Sequence, residues 1–558
     1  MPIGCFGGRT LTRIVCRLAS SVAVAWAYSR AHSAGVSRLR SLASVGPGDW
    51  PTMSAHTYPD APALRTPDGV ALTMRGLEDR ASRLASALRA AGIAPGERIA
   101  ILGTDSVGYA VTLFASLKLG TIGAPLNYRL AAAELAALTA LADPAVLVLE
   151  SRYAHLFDDL RAAAPNLRLV LTLDRPLSGV ASVEEFTDAH DPPGQASLPA
   201  ATSDDDVLLW MLTSGTTGTP RVVAQTQRMI KANTAKGVLE QGFQPRECLY
   251  AGTPLFHVSG MGWLYYAISR GAALMLLPQF DATAVLGCLR SGVVTRCLLV
   301  PSMVVALLDH PDVGPVPALR SIAYGGSAMP PELVRRLHDT FGCDLYNTFG
   351  AGTEGGGQTI LRPADHRAAF AGRPHLLGSI GRPMFGVDLR LCDADGNEVG
   401  VGTVGEIRTR SDTVMSGYVG NPELTATKVV DGWIRSGDMA RRDDEGYLYL
   451  AGRVDDMILR GGENIFPAEI ENVLVDHPTV AEAAVVGLPD QRWGQIVVAA
   501  VVAGPGAVPD PDELRAHCRS RLAGYKTPAR VVVVATLPKN ASGKTVRAQL
   551  AATLAVTA

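Results

Sequence analysis

Hydrophobic positions along most of the chain alternate between helical spacing and short continuous apolar runs. Residues 77–91 and 109–119 carry apolar side chains at helical spacing, and an apolar run at 98–102 separates them. Two later runs, 274–277 and 297–300, are each closed by a proline. Short apolar runs between helices are typical of strands that are buried on both faces. The pattern therefore predicts an α/β fold whose large N-terminal domain contains parallel-sheet subdomains.

The pattern changes after about residue 380. Short alternating segments follow, separated by Gly- and Asp-containing turns such as 393–396, and this alternation predicts a β-rich subdomain. Further along, we expect a helix at 467–475 and strands at 481–486 and 496–502. The last hundred or so residues are therefore predicted to form a small α+β domain of ordinary domain size.

These changes divide the chain into three parts. We expect a basic N-terminal extension at residues 1–53, a large domain at 54–453 and a small C-terminal domain at 454–558. The extension has no acidic residue before Asp49, which is typical of a targeting segment, and translation from Met53 is the alternative. Its apolar stretch is shorter than the ~20 residues that a membrane-spanning helix needs, so we predict no transmembrane segment.

Charge and cysteine content exclude several classes of function. The 558 residues include 51 basic and 53 acidic side chains, and a net charge of -2 provides no positive field that would attract nucleic acid. The eight cysteines form no C-x-x-C pair, and no Cys/His cluster has zinc spacing. We therefore predict a cytoplasmic protein without a nucleic-acid partner, in which any metal ion arrives with a substrate.

A loop rich in hydroxyl groups and glycines directly follows an apolar run at 207–212. Its residues are Thr213, Ser214, Gly215, Thr216, Thr217, Gly218, Thr219, Pro220 and Arg221. Glycines let backbone N–H groups approach phosphate oxygens, hydroxyl groups add hydrogen bonds, and a cation balances polyphosphate charge. The loop does not match the Walker A pattern. It nevertheless predicts a binding site for a nucleoside triphosphate.

The order of these residues resembles the phosphate loop of the adenylate-forming superfamily, which includes acyl-CoA synthetases, firefly luciferases and peptide-synthetase adenylation domains. This chain departs from the usual family pattern at Arg221, Val222 and Gln227. The resemblance extends over residues 60–550 and implies a two-step reaction. MgATP converts a carboxylic acid to an acyl adenylate, and the thiol of CoA then displaces AMP. The implied substrates and cofactors are thus ATP, Mg²⁺, CoA and an acid.

Further motifs resemble the family's nucleotide site. The resemblance implies that Gly325, Gly326 and Ser327 border adenine and the acyl group, Phe349 stacks on adenine, Thr353 and Glu354 hold Mg²⁺, Asp438 binds the ribose hydroxyls, and Arg453 reaches phosphate or ribose. A carboxylate suits two of these tasks, because it binds a hard cation and accepts hydrogen bonds from vicinal hydroxyl groups. The family motif carries one additional residue before Thr353 in this chain.

The C-terminal part resembles the family's mobile domain. Its matching residues are Asp455 at the hinge, Gly461, Gly462, Glu463 and Asn464 in the loop on the CoA side, and the catalytic Lys544. The resemblance implies that Lys544 first stabilises negative charge on the phosphoryl oxygens. The small domain then turns about Asp455 and presents the glycine-containing loop to CoA.

The segment around His257 resembles the acyl-binding segment of fatty-acyl and aryl-CoA ligases. His257, Val258 and Gly260 are the implied acyl-pocket residues, and Gly260 with Gly262 is expected to leave room for an alkyl or aryl group. Amino-acid adenylation domains commonly place an aspartate at position 257, and a neutral imidazole cannot balance an ammonium group. An amino-acid substrate is therefore disfavoured. The alternative is that His257 simply packs beside Trp263.

Three other motifs are incomplete. The G-x-G-x-x-G run at 350–355 does not open a helix, the segment around Ser327 lacks the last glycine of a nucleophile elbow, and residues 538–545 lack the first glycine of a P-loop. A dinucleotide oxidoreductase, a serine hydrolase and a P-loop kinase are therefore disfavoured.

We predict an acid–thiol ligase of the acyl-CoA synthetase type, which acts on a fatty or aryl acid. The alternative is an adenylating enzyme whose acceptor is a carrier-protein thiol in trans, an amine or another nitrogen nucleophile. A non-catalytic binding protein of the same fold is disfavoured because Glu354, Asp438 and Lys544 are all present.

Overall fold

The computed structural model describes residues 45–190, 202–213, 221–460, 463–539 and 545–556. All the elements below belong to one compact unit, Gly46–Ala558. The first 44 residues of the predicted extension lie outside the described residues. Within the described ranges, every helix is too short or too polar to cross a bilayer.

A seven-stranded sheet forms the first layer of the large domain. Its strands in spatial order are Gly417–Tyr418, Arg221–Thr226, Val207–Thr213, Ile122–Leu126, Arg98–Leu102, Val146–Leu149 and Leu169–Thr172. The last five strands run parallel, and the first two are antiparallel additions at one edge. Arg98–Leu102 coincides with a predicted apolar run. Helix Val107–Leu119 follows it, and Ser106 begins this helix by accepting a hydrogen bond from the N–H of Tyr109.

A nine-stranded sheet forms the second layer. Its strands in spatial order are Arg382–Pro383, Gly357–Leu361, Asp344–Gly350, Ser321–Gly325, Arg296–Leu299, Cys248–Ala251, Ala273–Met275, Pro62–Thr66 and Gly69–Thr73. The central strands are parallel, and antiparallel strands close both edges. Two of the parallel strands, Ser321–Gly325 and Asp344–Gly350, end side by side with Gly325 opposite Thr348. Candidate nucleotide-binding residues therefore meet at one edge of this sheet.

Helices cover both sheets. In chain order they are Trp50–Thr57, Met74–Ala90, Val107–Leu119, Ala132–Ala142, Phe157–Ala163, Val183–Ala189, Gln227–Gln241, Val258–Arg270, Ala282–Arg290, Pro301–Leu308, Pro331–Phe341, Pro363–Phe370 and Pro422–Lys428. Helices on parallel strands produce the mixed α/β architecture that the hydrophobic pattern predicts. The predicted α/β fold is therefore confirmed.

The predicted β-rich subdomain is an antiparallel five-stranded sheet. Its strands are Asp388–Cys392, Gly405–Arg410, Val429–Val430, Trp433–Arg442 and Leu448–Arg453. Ile380, Leu391, Ile407, Ala440 and Leu448 form its buried apolar cluster. The alternation in the sequence arises because only one face of each strand turns toward this cluster.

The C-terminal part combines a hairpin, a three-stranded sheet and three helices. The strands are Ile458–Arg460, Glu463–Ile465, Val480–Asp490, Gly494–Ala503 and Arg530–Val533, and the helices are Pro467–Val475, Pro511–Arg519 and Arg547–Val556. The observed helix matches the predicted range 467–475, and the two long strands exceed their predicted ranges at both ends. This is the predicted small α+β unit.

Residues before the predicted boundary at 53 already pack on the large domain. Trp50 opens helix Trp50–Thr57, is buried, and places its ring edge-on against Tyr265 at 5.4 Å. Ser54 on the same helix donates a hydrogen bond to the carbonyl of Ile268. Helix Trp50–Thr57 therefore spans the predicted boundary at residue 53 and packs on the large domain.

Candidate active site

Thr353 and Glu354 lie in the turn between strands Asp344–Gly350 and Gly357–Leu361. The Thr353 hydroxyl is 3.4 Å from one carboxylate oxygen of Glu354, and the Gln225 side chain donates a 3.1 Å hydrogen bond to the Thr353 carbonyl. The carbonyl of Glu354 accepts a 2.8 Å hydrogen bond from the N–H of Met415. The turn thus places a carboxylate beside a hydroxyl group, and such hard oxygen donors fit Mg²⁺.

Tyr418 connects Glu354 to the end of the phosphate loop. Its hydroxyl donates a 3.0 Å hydrogen bond to Glu354, and the Arg221 guanidinium lies 5.8 Å from its ring centre. Burial and the nearby Glu354 carboxylate raise the pKa of Tyr418 well above its usual value, so it remains a donor. Sequence analysis missed Tyr418 because no motif marks it, and only strand pairing brings it beside Arg221.

The two ends of the phosphate loop are neighbours. Strand Val207–Thr213 pairs antiparallel with Arg221–Thr226, so that Thr213 is opposite Arg221 in the backbone register. The loop residues between them, Ser214, Gly215, Thr216, Thr217, Gly218, Thr219 and Pro220, lie outside the described residues. The strand that begins at Arg221 reaches the Glu354 turn through the hydrogen bond of Gln225 to Thr353.

The second glycine segment ends strand Ser321–Gly325. A Cβ atom on Gly325 would be 2.3 Å from the carbonyl oxygen of Thr348, so only glycine permits this close strand contact. Gly326 and Ser327 follow it and are exposed. Phe349, on the adjacent strand, is partly buried against the apolar cluster of the β-rich subdomain. The proposed adenine-stacking residue is thus close to Gly325 in the sheet.

Asp438 and Arg453 form an ion pair of 2.7 Å. They are cross-strand partners on Trp433–Arg442 and Leu448–Arg453, and this register explains how residues 15 positions apart meet. Asp455 follows directly and is exposed in the turn after the last strand. The structure therefore brings the proposed ribose-binding carboxylate and the proposed phosphate-binding cation together at the predicted hinge.

The predicted CoA-side loop and the predicted catalytic lysine fall partly outside the described residues. Gly461, Gly462 and Lys544 lie outside the described residues. Glu463 is exposed at the start of strand Glu463–Ile465, and Asn464 is opposite Leu459 in the hairpin register. The described strands on either side of this loop, Ile458–Arg460 and Glu463–Ile465, pair antiparallel with Arg460 opposite Glu463.

His257 begins helix Val258–Arg270 and does not pack in the core. Its Nδ1 accepts a hydrogen bond from the N–H of Ser259 and is 2.8 Å from the Ser259 hydroxyl, and the ring is exposed. Trp263 is buried instead against Phe243, with ring centres 5.3 Å apart. The packing alternative is therefore wrong, and His257 is a helix N-cap.

Gly260 lies against the loop that precedes its helix. A Cβ atom on Gly260 would be 2.3 Å from the carbonyl oxygens of both Thr253 and Pro254. This glycine permits close contact between the helix and the loop before it, and its pocket role stays a prediction. Gly262 has open space beside it, since the nearest atoms to its added Cβ belong to Tyr266 at 3.6 Å.

A small cavity of about 20 Å³ lies between the two sheets and these helices. Its described lining residues are Met211, Gln225, Met229, Ile230, Asn233, Thr234, Val258, Met261, Gly262, Tyr265, Gly356 and Thr413. None of these carries a charge, and neither His257 nor Gly260 is among them. Gln225, which holds the Thr353 carbonyl, and Gly356 connect the cavity to the turn that carries Glu354. The cavity therefore suits an uncharged group next to a nucleotide site.

Asp105 is a buried carboxyl group that sequence analysis missed. It accepts a 2.8 Å hydrogen bond from the N–H of Leu255, two residues before His257. Burial raises its pKa to about 7, although this hydrogen bond and Arg129 oppose the shift. Asp105 thus fixes the loop that leads into the cavity helix Val258–Arg270. An isolated aspartate in a turn gives no sequence signal for this contact.

Family comparisons cover most of the chain. The AMP-binding enzyme family model matches residues 52–419, and the model for the AMP-binding enzyme C-terminal domain matches residues 469–544.

Individual relatives align over nearly their whole lengths. A feruloyl-CoA synthase from Amycolatopsis sp is 37% identical over 512 residues, which cover 91% of this chain and 99% of the relative. A fatty acid–[acyl-carrier-protein] ligase from Streptomyces coeruleorubidus is 34% identical over 89% of this chain and 95% of its own. The structure of an amide bond synthetase from Marinactinospora thermotolerans superposes with a TM-score of 0.83 at 30% identity, covering 91% of this chain and 99% of that chain.

Proposed function

Because the chain belongs to the AMP-binding enzymes, which form adenylates from ATP, we propose that it is an acid:CoA ligase for an aliphatic or aryl carboxylic acid. The observation that carries this proposal is the uncharged lining of the cavity beside the Glu354 turn. Its described lining offers methionine, isoleucine, valine and amide or hydroxyl side chains, but no carboxylate that would balance an α-ammonium group. An uncharged alkyl or aryl group therefore fits better than an amino acid.

In the first step, an oxygen of the acid attacks the α-phosphorus of ATP and pyrophosphate leaves. Glu354 and Thr353 would bind the Mg²⁺ that accompanies ATP and neutralises phosphate charge. Arg221 is close enough to that carboxylate, through Tyr418, to act on the same phosphates. Asp438 would accept hydrogen bonds from the ribose, and Phe349 would stack on adenine. Lys544 would stabilise the charge that develops on the phosphoryl oxygens.

In the second step, the acceptor thiol attacks the acyl carbon and AMP leaves. We propose that the C-terminal domain at 454–558 turns about Asp455 for this step, so that Lys544 withdraws and the loop at 461–464 approaches the acyl adenylate. This rotation needs a hinge in a short exposed segment, and Asp455 is exposed immediately after the last strand of the large domain, 54–453.

An exposed aromatic surface near this loop supports CoA as the acceptor. The Trp493 ring is 40% exposed, and the guanidinium groups of Arg460 and Arg492 lie 5.5 and 4.9 Å from its centre. A partly exposed indole suits contact with the adenine ring of CoA, and neighbouring arginines suit the phosphates of CoA. Arg460 is also the last residue before the glycine loop on the proposed CoA side.

The second candidate is an adenylating enzyme with a different acceptor. The relatives include a carrier-protein ligase and an amide bond synthetase, and Arg221 replaces the usual lysine of the phosphate loop. A carrier-protein thiol in trans or an amine would use the same first step.

For the cellular site we propose the cytoplasm, because the six described cysteines are free, buried thiols, as in a reducing compartment.

The first experiment is a substrate panel with the purified full chain. MgATP is combined with aliphatic and aryl acids, with and without CoA, and pyrophosphate and acyl products are measured. We expect acid-dependent pyrophosphate release and an acyl-CoA product. An acyl adenylate without thioester would favour the carrier or amine acceptor, and α-amino acids as the best substrates would contradict the proposed acid class.

A further inference from the structure

Lys236 is a buried lysine on helix Gln227–Gln241 that the mechanism above does not use. Only 5% of its surface is exposed, and it forms no ion pair with any described residue. Its ammonium group donates hydrogen bonds to the Gly357 carbonyl and to the Thr413 hydroxyl, the latter at 3.2 Å. A buried ammonium without an ion-pair partner costs folding free energy. Burial lowers its pKa to about 8, which reflects that cost.

These hydrogen bonds hold both sides of one glycine. Lys236 binds the carbonyl that follows Gly356, and the Thr413 hydroxyl donates a 2.7 Å hydrogen bond to the Gly355 carbonyl that precedes it. Gly356 has a φ of +64°, and an added Cβ would be 2.6 Å from the amide oxygen of Asn233. The turn therefore lies directly on the helix that carries Lys236.

The same contacts adjoin two functional surfaces. Gly355 directly follows Glu354, the proposed Mg²⁺ ligand. The hydrogen bond to the Gly355 carbonyl therefore also restrains the backbone from which the Glu354 side chain projects. Gly356 and Thr413 line the cavity, whereas Lys236 does not. Lys236 thus lies outside the cavity, next to the residues that connect the Glu354 turn to the cavity wall.

We propose that Lys236 is a positioning residue that aligns the Glu354 turn with the wall of the acyl cavity. This inference rests on the proposed function, because the aligned groups are taken to be MgATP and the acid. Alignment matters because an error of about 1 Å between two reacting groups can reduce the rate by about 100-fold. Lys236 acts through backbone carbonyls and touches neither substrate.

The principal test is Lys236→Met, which retains length but removes the ammonium group. We expect kcat for acid-dependent pyrophosphate release to fall at least tenfold and KM to rise for both ATP and the acid. The thermal midpoint should stay near that of the wild type, since a buried unpaired charge is removed along with its hydrogen bonds. A merely structural role would reduce the active fraction and leave both KM values unchanged, which would overturn the proposal.

The matched control is Lys231→Met on the same helix. Lys231 pairs with Asp204 at 2.8 Å, away from the turn, so its replacement should leave both KM values unchanged. If Lys231→Met raised both KM values as Lys236→Met does, the effect would belong to the helix as a whole and the inference would fail.

A second pair of variants tests the connection through Thr413. Thr413→Ser retains the hydroxyl that binds Gly355 and should therefore lose much less kcat than Thr413→Val, which should behave like Lys236→Met. If Lys236 and Thr413 act as one unit, the double variant Lys236→Met/Thr413→Val should be little worse than the worse single variant. Fully additive losses would contradict this unit.

A failure of the proposed function can be distinguished from a failure of the Lys236 inference. If the wild-type enzyme released no pyrophosphate with any acid of the panel, the ligase proposal would be refuted for those acids. Calorimetric titration with MgATP would still test Lys236, because its loss should weaken MgATP binding more than Lys231→Met does. Equal MgATP affinity in these two variants would refute the positioning role.

Discussion

Single residues around the site owe their properties to distant partners. Tyr418 remains protonated beside Glu354 because burial and the carboxylate both disfavour phenolate, and this hydroxyl then holds one carboxylate oxygen. Asp105 shows the corresponding effect for an acid, since burial outweighs its hydrogen bond from the N–H of Leu255. In both residues, burial therefore favours the protonated form of the side chain.

The Asp105 carboxyl group predicts a pH dependence of stability. Its pKa is about 7 in the folded protein and 3.8 as an ordinary value, so the folded state binds more protons between these values. The contribution of Asp105 to the free energy of unfolding should therefore fall by up to about 4 kcal/mol as pH rises from about 4 to 7. Above pH 7 it should level off. Asp105→Asn should remove this slope while retaining an acceptor for Leu255.

The measurement is urea unfolding at several pH values. Asp68→Asn is the control, because Asp68 is exposed in a turn and its replacement should leave the wild-type pH slope unchanged. If Asp105→Asn and the wild type had parallel stability curves from pH 4 to 8, the raised pKa would be contradicted.

At the scale of elements, helix Val258–Arg270 shows how one sequence segment serves two surfaces. Val258, Met261, Gly262 and Tyr265 face the cavity, whereas Gly260 faces the preceding loop. Helical periodicity separates these positions, because residues two apart point in different directions. Two glycines of similar appearance in the sequence therefore have different roles.

This difference predicts unequal effects of two alanine substitutions. Gly260→Ala should destabilise the protein by about 1–3 kcal/mol, because its methyl group would overlap two backbone carbonyl oxygens. Gly262→Ala is the matched control, and it should be neutral or stabilising by up to about 1 kcal/mol through helix propensity. Denaturant unfolding of both variants measures this, and equal destabilisation would contradict the assigned contacts.

At the scale of the whole molecule, residues from the two sheets and from the β-rich subdomain contribute to the candidate site. In the sequence, the C-terminal part begins directly after Arg453, which pairs with Asp438. A ligase with two chemically different steps needs different groups at the same acyl carbon. The proposed small domain would carry both Lys544 and the loop at 461–464, so that its rotation would exchange them. The chain order of hinge, glycine loop and lysine is consistent with that division.

This arrangement predicts that the two half-reactions are separable. Lys544→Ala should reduce adenylate formation by at least 100-fold, because charge on the phosphoryl oxygens loses its stabilising cation. Thioesterification of a supplied acyl adenylate should be largely retained. Lys539→Ala is the matched control, since Lys539 pairs with Glu482 on the surface and should leave both half-reactions intact. Equal loss of both half-reactions in Lys544→Ala would contradict the assigned role.

Much of the fold was predictable because its information is local. The apolar run 98–102 is a buried parallel strand, the alternation after residue 380 is an antiparallel sheet, and the helix expected at 467–475 is observed. Contiguous motifs also indicated the family, since a strand followed by a phosphate loop is local chemistry. The additional residue before Thr353 was visible as well, although its structural setting was not.

The sequence by itself therefore determined the local elements, the family and the types of chemical group available, because periodicity and contiguous motifs depend on neighbouring residues. Only the tertiary structure decided that Tyr418 holds Glu354, that Asp105 fixes the loop at Leu255, and that Trp50 packs against Tyr265. The first of these contacts joins residues 64 positions apart, and the second joins residues 150 positions apart. Sheet order and helix packing create such contacts, and no local pattern of apolar and polar residues encodes them.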